Sequence, residues 1–442
     1  MKKTIYEKPI TVGNLLMFAL PTVIMMIFTS IYTMVDGVVV ARFVGSRALS
    51  AINIVFPLSS LVSGLGFMVS TGGNAVTARK MGENKQDEAN SFFTSLVVIT
   101  VVFGICMSIV SVIFARPIYI VLGADDTLID YCVEYGNIIM CGLSLFMLQI
   151  IFQMFFVTAG KPMVGLVLTI LSGLTNMVFD FILVGILDFG IKGAAYATVA
   201  SYAIGGLLPF LWFFNDKMKL KFAKPVYQVK LILESMANGA SEMVTSLATS
   251  VTTYLFNIKM MALAGEKGVA AITAILYIQF LFSAVMIGFT SGVAPVVSYN
   301  YGAANHENLK KLFKICIKTI AVMGVAMLVS AEVFSSPIVH VFSGEDVDMS
   351  LLAVRGLRIF SVSFLLCGFN IFGSGFFTAL CNGKISAYIS LLRTLVLEAP
   401  FIIAFAHFFG IDGIWLAVPV SETICIIYTV LMLVLKRKEY HY

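Results

Sequence analysis

The 442-residue chain is 59% hydrophobic and 12% charged, with a mean hydropathy of +0.97. No water-soluble domain of this length could bear so much apolar surface, so the composition specifies a polytopic membrane protein. The net charge of +5 comes from basic residues in loops and tails, where topology accounts for them, and nucleic-acid binding is excluded.

Lys2, Lys3 and Lys8 precede an apolar run from about Val12 to Val40, which is too long for a signal peptide and predicts an uncleaved first span. Apolar segments long enough to cross a bilayer then recur near 13–41, 48–78, 91–114, 133–158, 162–187 and 193–215. A basic stretch from Asn215 to Lys230 follows, with Lys217, Lys219, Lys221 and Lys224 beside Pro225. Six more spans are predicted near 231–262, 267–298, 312–338, 352–380, 384–408 and 413–435. Lysine and arginine gather on one side, at both termini and at residues 79–85, 161, 217–230, 310–314 and 384, whereas the opposite loops include the acidic Glu345, Asp346 and Asp348. Both termini are therefore expected in the cytoplasm, with the chain in the plasma membrane.

The halves repeat at an offset of 220 residues. Gly45 with Ala51-Ile52 matches Gly265 with Ala271-Ile272, Gly72 matches Gly292, Gly82 matches Gly302, and GIKG at 190–193 matches GIDG at 410–413. Six spans per repeat give both halves the same orientation, a design that suits two bundles rocking about a central cleft. The expected fold is all-α, with twelve transmembrane helices in two pseudo-symmetric six-helix bundles. Residues 1–215 form the first lobe, 216–230 the linker and 231–442 the second lobe.

Two acids stand out in the first half. Asp180 lies one helical turn after Asn176 in an otherwise apolar span, and Asp36 lies in the first. A carboxylate in hydrocarbon is costly and marks a functional site. At about 1.5 Å rise per residue, Asp36, Asp180 and Thr198 all fall roughly 8 to 11 Å below the outer surface, so they can share a site. Two carboxylates with Asn176 and Thr198 suit either a proton or sodium, and the residue types do not choose between them. At the repeat offset Asp36 corresponds to Phe256, Asp180 to Pro400 and Thr198 to Val418, so the constellation belongs to the amino-terminal lobe alone. The second half has its own buried charges, Glu242, Arg393, Glu398 and Glu422, in which Arg393 could neutralise either Glu398 or Glu422.

The pseudo-repeat, LPTVIMMIFTSIYTMVDGVVVARFVG with Pro21 and Asp36, TNMVFDFILV with Asn176 and Asp180, and GVAPVVSYNYGA at 292–303 resemble the MATE (multidrug and toxic compound extrusion) transporters over nearly the whole chain. The resemblance implies an antiporter, not an enzyme, that exports organic and often cationic compounds in exchange for proton or sodium. In the family's pattern Asp36, Asn176, Asp180 and Thr198 match the coupling site. Tyr32, Tyr135 and Gln153 match positions lining the adjoining cavity, Glu242 matches an acid of some members, and Pro21 matches a residue at which the first helix bends. Some members carry a further acid in the tenth span, before a G-S-G stretch; here Cys367 stands before Gly373-Ser374-Gly375, which favours an amino-lobe mechanism.

No resident cofactor is expected beyond the coupling ion. The expected partners are small organic cations and membrane lipid, with the chain acting as a monomer. A membrane enzyme or haem carrier would need paired ligands at depth, but His306, His340, His407 and His441 lie near span ends or in loops. The nearer rival is a lipid-linked oligosaccharide flippase of similar two-lobe architecture, whose cavity would need basic residues for pyrophosphate where this amino lobe offers acids.

Overall fold

The structure, a computed structural model, describes residues 5–44, 46–344 and 346–442. Lys2, Lys3, Gly45 and Glu345 lie outside the described residues. Among the described residues nine helices are long and apolar enough to cross a bilayer, and a bent pair supplies a further crossing. Two of the nine are double-length. Ala240–Gly302 spans 63 residues and breaks at Gly265 (φ 62°), and Gly383–Leu435 spans 53 residues and breaks at Gly410 (φ 61°). A helix of 63 residues would run about 95 Å at 1.5 Å per residue, three times a bilayer core, so each crosses twice.

The twelve crossings are numbered in chain order. In the first bundle they are α1 (Val12–Phe43), α2 (Ser46–Gly82), α3 (Gln86–Ile113) and α4 (Ile129–Cys141 with Leu143–Thr158). They continue with α5 (Pro162–Asp180, extended by the π-helical Phe181–Ile186) and α6 (Gly190–Leu207). In the second bundle α7 and α8 are the two halves of Ala240–Gly302, followed by α9 (His306–Val333) and α10 (Val347–Ala379). The last two are the halves of the Gly383–Leu435 run: α11 includes a π-helical stretch, Leu392–Glu398, and α12 follows Gly410. Crossing number and repeat agree with the sequence reading, and individual ends move by a few residues.

The repeat is visible in the backbone itself. Gly190 and Gly410, at corresponding turns, have φ of 56° and 61°, a left-handed conformation that glycine adopts without strain. Two short helices that hydropathy did not reveal, Ala115–Val121 and Ser335–Ser343, also correspond, each preceded by a phenylalanine (Phe114, Phe334) of nearly identical backbone angles. A 50° bend between the two parts of α4 was likewise not foreseen. It falls at Gly142, where an added Cβ would come within 2.7 Å of Val199 Cγ2, so glycine there lets α4 close onto α6.

The stretch between the bundles is docked rather than loose. The Lys221 amide donates to Asn90 Oδ1 (3.2 Å), Ala223 to Thr94 Oγ1 (3.0 Å) and Val226 to Ser95 Oγ (3.0 Å), all at the start of α3. Phe222 packs its ring on Phe93 at 5.2 Å and on Phe210 at 5.3 Å.

The bundles meet most tightly at the end that carries both termini. An added Cβ on Gly82 would lie 2.0 Å from the Tyr299 carbonyl oxygen, and one on Gly302 would lie 2.1 Å from that of Arg79, a reciprocal contact between equivalent positions. Gly72 and Gly239 make the same kind of approach, to Ser235 O at 1.8 Å and Met68 O at 1.9 Å. Farther along α2 the contact loosens, to 3.2 Å at Gly64 against Ser246 Cβ. Tyr6 bridges the bundles at the tight end, donating to Thr158 O (2.7 Å) and resting its ring 4.5 Å from that of Tyr299.

Replacing Gly82 by leucine should force α2 from α8 and lower the thermal midpoint of the purified protein, at a cost of about 2 kcal/mol or more. Gly13→Leu, where nothing lies within 4 Å of the added Cβ, should leave the midpoint unchanged.

Candidate functional site

In the first bundle α1 packs against α5 because Gly173 leaves room for it. An added Cβ would sit 2.5 Å from Phe28 Cε1 and 3.0 Å from Tyr32 Cδ1. The next turns of the same two helices carry Asp36 on α1 and Asn176 and Asp180 on α5. Asp36 and Asp180 come within hydrogen-bonding reach of each other, and Asn176 within reach of Asp36. Asn176 and Asp180 are 2% and 1% exposed. Oδ1 of Asp36, both carboxylate oxygens of Asp180 and Oδ1 of Asn176 are buried without a hydrogen-bond donor.

Asn176 reaches only Asp36, and three of the four oxygens of this facing carboxylate pair have no hydrogen-bond partner, an unfavourable arrangement in an apolar setting while both are charged. A proton shared between them, or a small cation drawn to these oxygens, relieves it. The helix widens into its π-helical stretch immediately after Asp180, a local geometry frequent at functional sites. From below, Gln149 Nε2 donates to Ser172 Oγ (3.2 Å) and Ser172 Oγ to Ser201 O (2.6 Å). This ties α4, α5 and α6 together one turn before Asn176.

The remaining residues singled out in the sequence do not gather in one place. Tyr32 lies within the field of Asp36, and Tyr135 within the fields of Asp36 and Asp180, so both border the acids. Thr198 turns its hydroxyl to its own helix, donating to Ala194 O at 3.0 Å. Gln153 faces α5, where its Nε2 donates to Thr169 Oγ1 (3.0 Å), and lines a small crevice there. Pro21 lies inside α1, and the next residues touch α8, where a Cβ on Gly288 would be 2.6 Å from Val23 Cα. Tyr202 was not singled out, yet it too lies near Tyr32, Tyr135 and Asp36. Its spacing of one turn from Thr198 is the signal that could have found it.

Glu242 is elsewhere, in a central cavity between the bundles that is open to solvent. Thr71 and Asn74 of α2, Glu242 of α7, Thr290 of α8, Thr378 of α10 and Arg393 of α11 are among its lining residues. Behind its wall, Arg393 Nε donates to Glu422 Oε1 (2.6 Å), and Asn370 Nδ2 donates to Glu422 Oε2 (2.7 Å). Thr429 Oγ1 donates to Asn370 Oδ1 (2.7 Å). Of the two partners open to Arg393 in the sequence, the direct ion pair goes to Glu422, while Glu398 lies only within its field.

The MatE family model matches the chain twice, at residues 21–182 and 242–403. A multidrug export protein MepA of Staphylococcus saprophyticus is 23% identical over 98% of this chain and 95% of its own. A solved outward-facing conformation of a multidrug resistance MATE family transporter superposes with a TM-score of 0.91 at 21% identity, covering 99% of this chain and 97% of that one. A MATE structure in complex with MaL6 gives 0.91 at 20% identity and 97% coverage of both.

Removing Glu422 by leucine substitution leaves the Arg393 guanidinium without its partner, and should cost on the order of 3–5 kcal/mol. The double variant Arg393→Met with Glu422→Leu should recover most of the lost thermal stability in detergent. An equal loss in both would show that the ion pair is not what Glu422 contributes.

Proposed function

The chain belongs to the MatE family of membrane transporters, and from that we propose that it is a proton- or sodium-coupled antiporter exporting small organic compounds, cationic or amphiphilic, by alternating access. The observation that carries this reading is the Asp36–Asp180 pair, three of whose four carboxylate oxygens are buried without a hydrogen-bond partner. A proton or sodium ion entering from outside occupies Asp36, Asp180 and Asn176, with Thr198 at the margin. The change in charge rearranges α1 near Pro21 and weakens the hold on cargo, which then leaves outward. Tyr32 and Tyr135 form the wall between the acids and the cargo path, and Glu242 receives cationic cargo in the central cavity. Residues 1–215 and 231–442 act as the two moving bodies, joined through 216–230.

The distribution of Lys and Arg supports placing both termini in the cytoplasm of a plasma membrane. The bundles are tightest at the termini end, so this arrangement corresponds to an outward-facing carrier. The names of the relatives, multidrug export proteins, support a small-molecule cargo. The flippase alternative draws no support: apart from Arg393, whose charge Glu422 balances, the named charges of the membrane interior are acids.

In proteoliposomes loaded with ethidium, an inward gradient of one ion, proton or sodium, should drive efflux. Asp36→Asn and Asp180→Asn should each abolish it, while the variants still elute as folded protein. Near-normal efflux by both variants would sink the assignment.

A further inference from the structure

The short helical turn Ile5–Glu7, ahead of α1, touches three bodies at the end where the bundles are tightest. Tyr6 Oη donates to the Thr158 carbonyl at the end of α4 (2.7 Å), and the Tyr6 ring lies 4.5 Å from that of Tyr299 on α8. Ile5 is 6% exposed, in the same apolar cluster as Val157 of α4 and Val297 of α8. The Glu7 carboxylate pairs with the Lys219 ammonium of the linker, and the Lys219 carbonyl accepts from Gln86 Nε2 of α3 (2.7 Å). The turn is also fixed to α1. Thr11 caps that helix, its Oγ1 accepting from the Asn14 amide (3.3 Å), while Asn14 Nδ2 donates to the Pro9 carbonyl (2.9 Å).

We propose that Ile5–Glu7 is a latch that holds the termini side of the carrier closed and has to release before the bundles part there. This adds a device to the alternating-access reading above and rests on it. Opening at this end draws Gly82 from Tyr299 and Gly302 from Arg79, which now lie in backbone contact. Thr158 and Tyr299, one on each bundle, then move apart, and a single side chain cannot keep both. The hydroxyl bond and the ring contact are each worth about a two- to tenfold shift in an equilibrium. That is enough to bias the resting state and weak enough to break in every cycle. The ion pair with Lys219 is exposed and adds little holding strength of its own. Pro21 lies between the latch and Asp36 on one helix, so a change in α1 near Pro21 moves Tyr6 against its two partners.

The test is the distance between spin labels on Asp87→Cys of α3 and Lys310→Cys of α9, both exposed at the termini end. It is measured by double electron–electron resonance in nanodiscs, with the seven native cysteines replaced. Tyr6→Phe, which deletes the hydroxyl and keeps the ring, should raise the ratio of long to short distances about two- to tenfold, and Tyr6→Ala should raise it further. Lys8→Gln, exposed on the neighbouring residue but one, should leave the ratio unchanged. A ratio that Tyr6→Phe and Tyr6→Ala both leave unmoved overturns the latch. So does a fall in thermal midpoint without a shift in the ratio, which makes Tyr6 a packing residue; if Tyr6→Ala does not fold, Tyr6→Phe decides alone. Ethidium efflux is followed on the same proteins. Wild-type efflux with an unmoved ratio overturns the latch and leaves the export reading intact, whereas a shifted ratio without efflux under either ion gradient overturns the export reading and leaves the latch.

Discussion

Two carboxylates facing each other in a membrane interior impose the constraint on which the rest of the structure depends. A lone carboxylate is costly in an apolar interior, and two facing each other, with three of their four oxygens unpartnered, are worse while both are charged. Their approach is bought with small residues. Gly173 lets α1 lie against α5, and the Gln149–Ser172–Ser201 chain keeps α5 in register with its neighbours.

The two bundles solve the problem of intramembrane charge differently although their backbones repeat. In the second, Arg393 closes on Glu422 and Asn370 completes the shell, so that negative charge is neutralised within the protein. In the first, among the described side chains, no basic residue pairs with Asp36 or Asp180. Both arrangements accompany π-helical stretches in equivalent helices, α5 and α11, although not at equivalent residues. A widened turn gives each helix the freedom to aim a charged side chain inward. The first bundle thus keeps its facing acids without a basic partner among the described side chains, while the second lends Glu242 and Arg393 to the cavity wall.

Much of this was legible in the sequence because bilayer physics writes plainly. Span length, the lysine distribution and the glycine repeat carry the number of crossings and the two-bundle plan. That Asp36, Asn176 and Asp180 could meet was readable from helical rise and spacing. The 50° bend at Gly142 was not, because a single glycine in an apolar run bends a helix only if a neighbour such as Val199 draws close. The choice of Glu422 over Glu398 by Arg393 was equally invisible, since both acids lie at similar depth and helix rotation decides between them. The separation of Gln153 from Glu242 was also unreadable: rotation of α4 puts Gln153 against Thr169, whereas Glu242 lines the space between the bundles. The docking of residues 219–226 on α3 escaped notice because basic, proline-containing segments read as linkers whether or not they find hydrogen-bond partners.

The account's central claim is that the Asp36–Asp180 pair holds a cation in exchange for cargo. Its most direct test is ion release from detergent-purified protein when rhodamine 123 or ethidium is added, followed with a pH indicator in weak buffer and, separately, with radioactive sodium. Release of one of the two ions by the wild type, and of neither by folded Asp180→Asn, is the predicted result. Cargo binding with no release of either ion from the wild type, or with unchanged release from Asp180→Asn, would contradict the account.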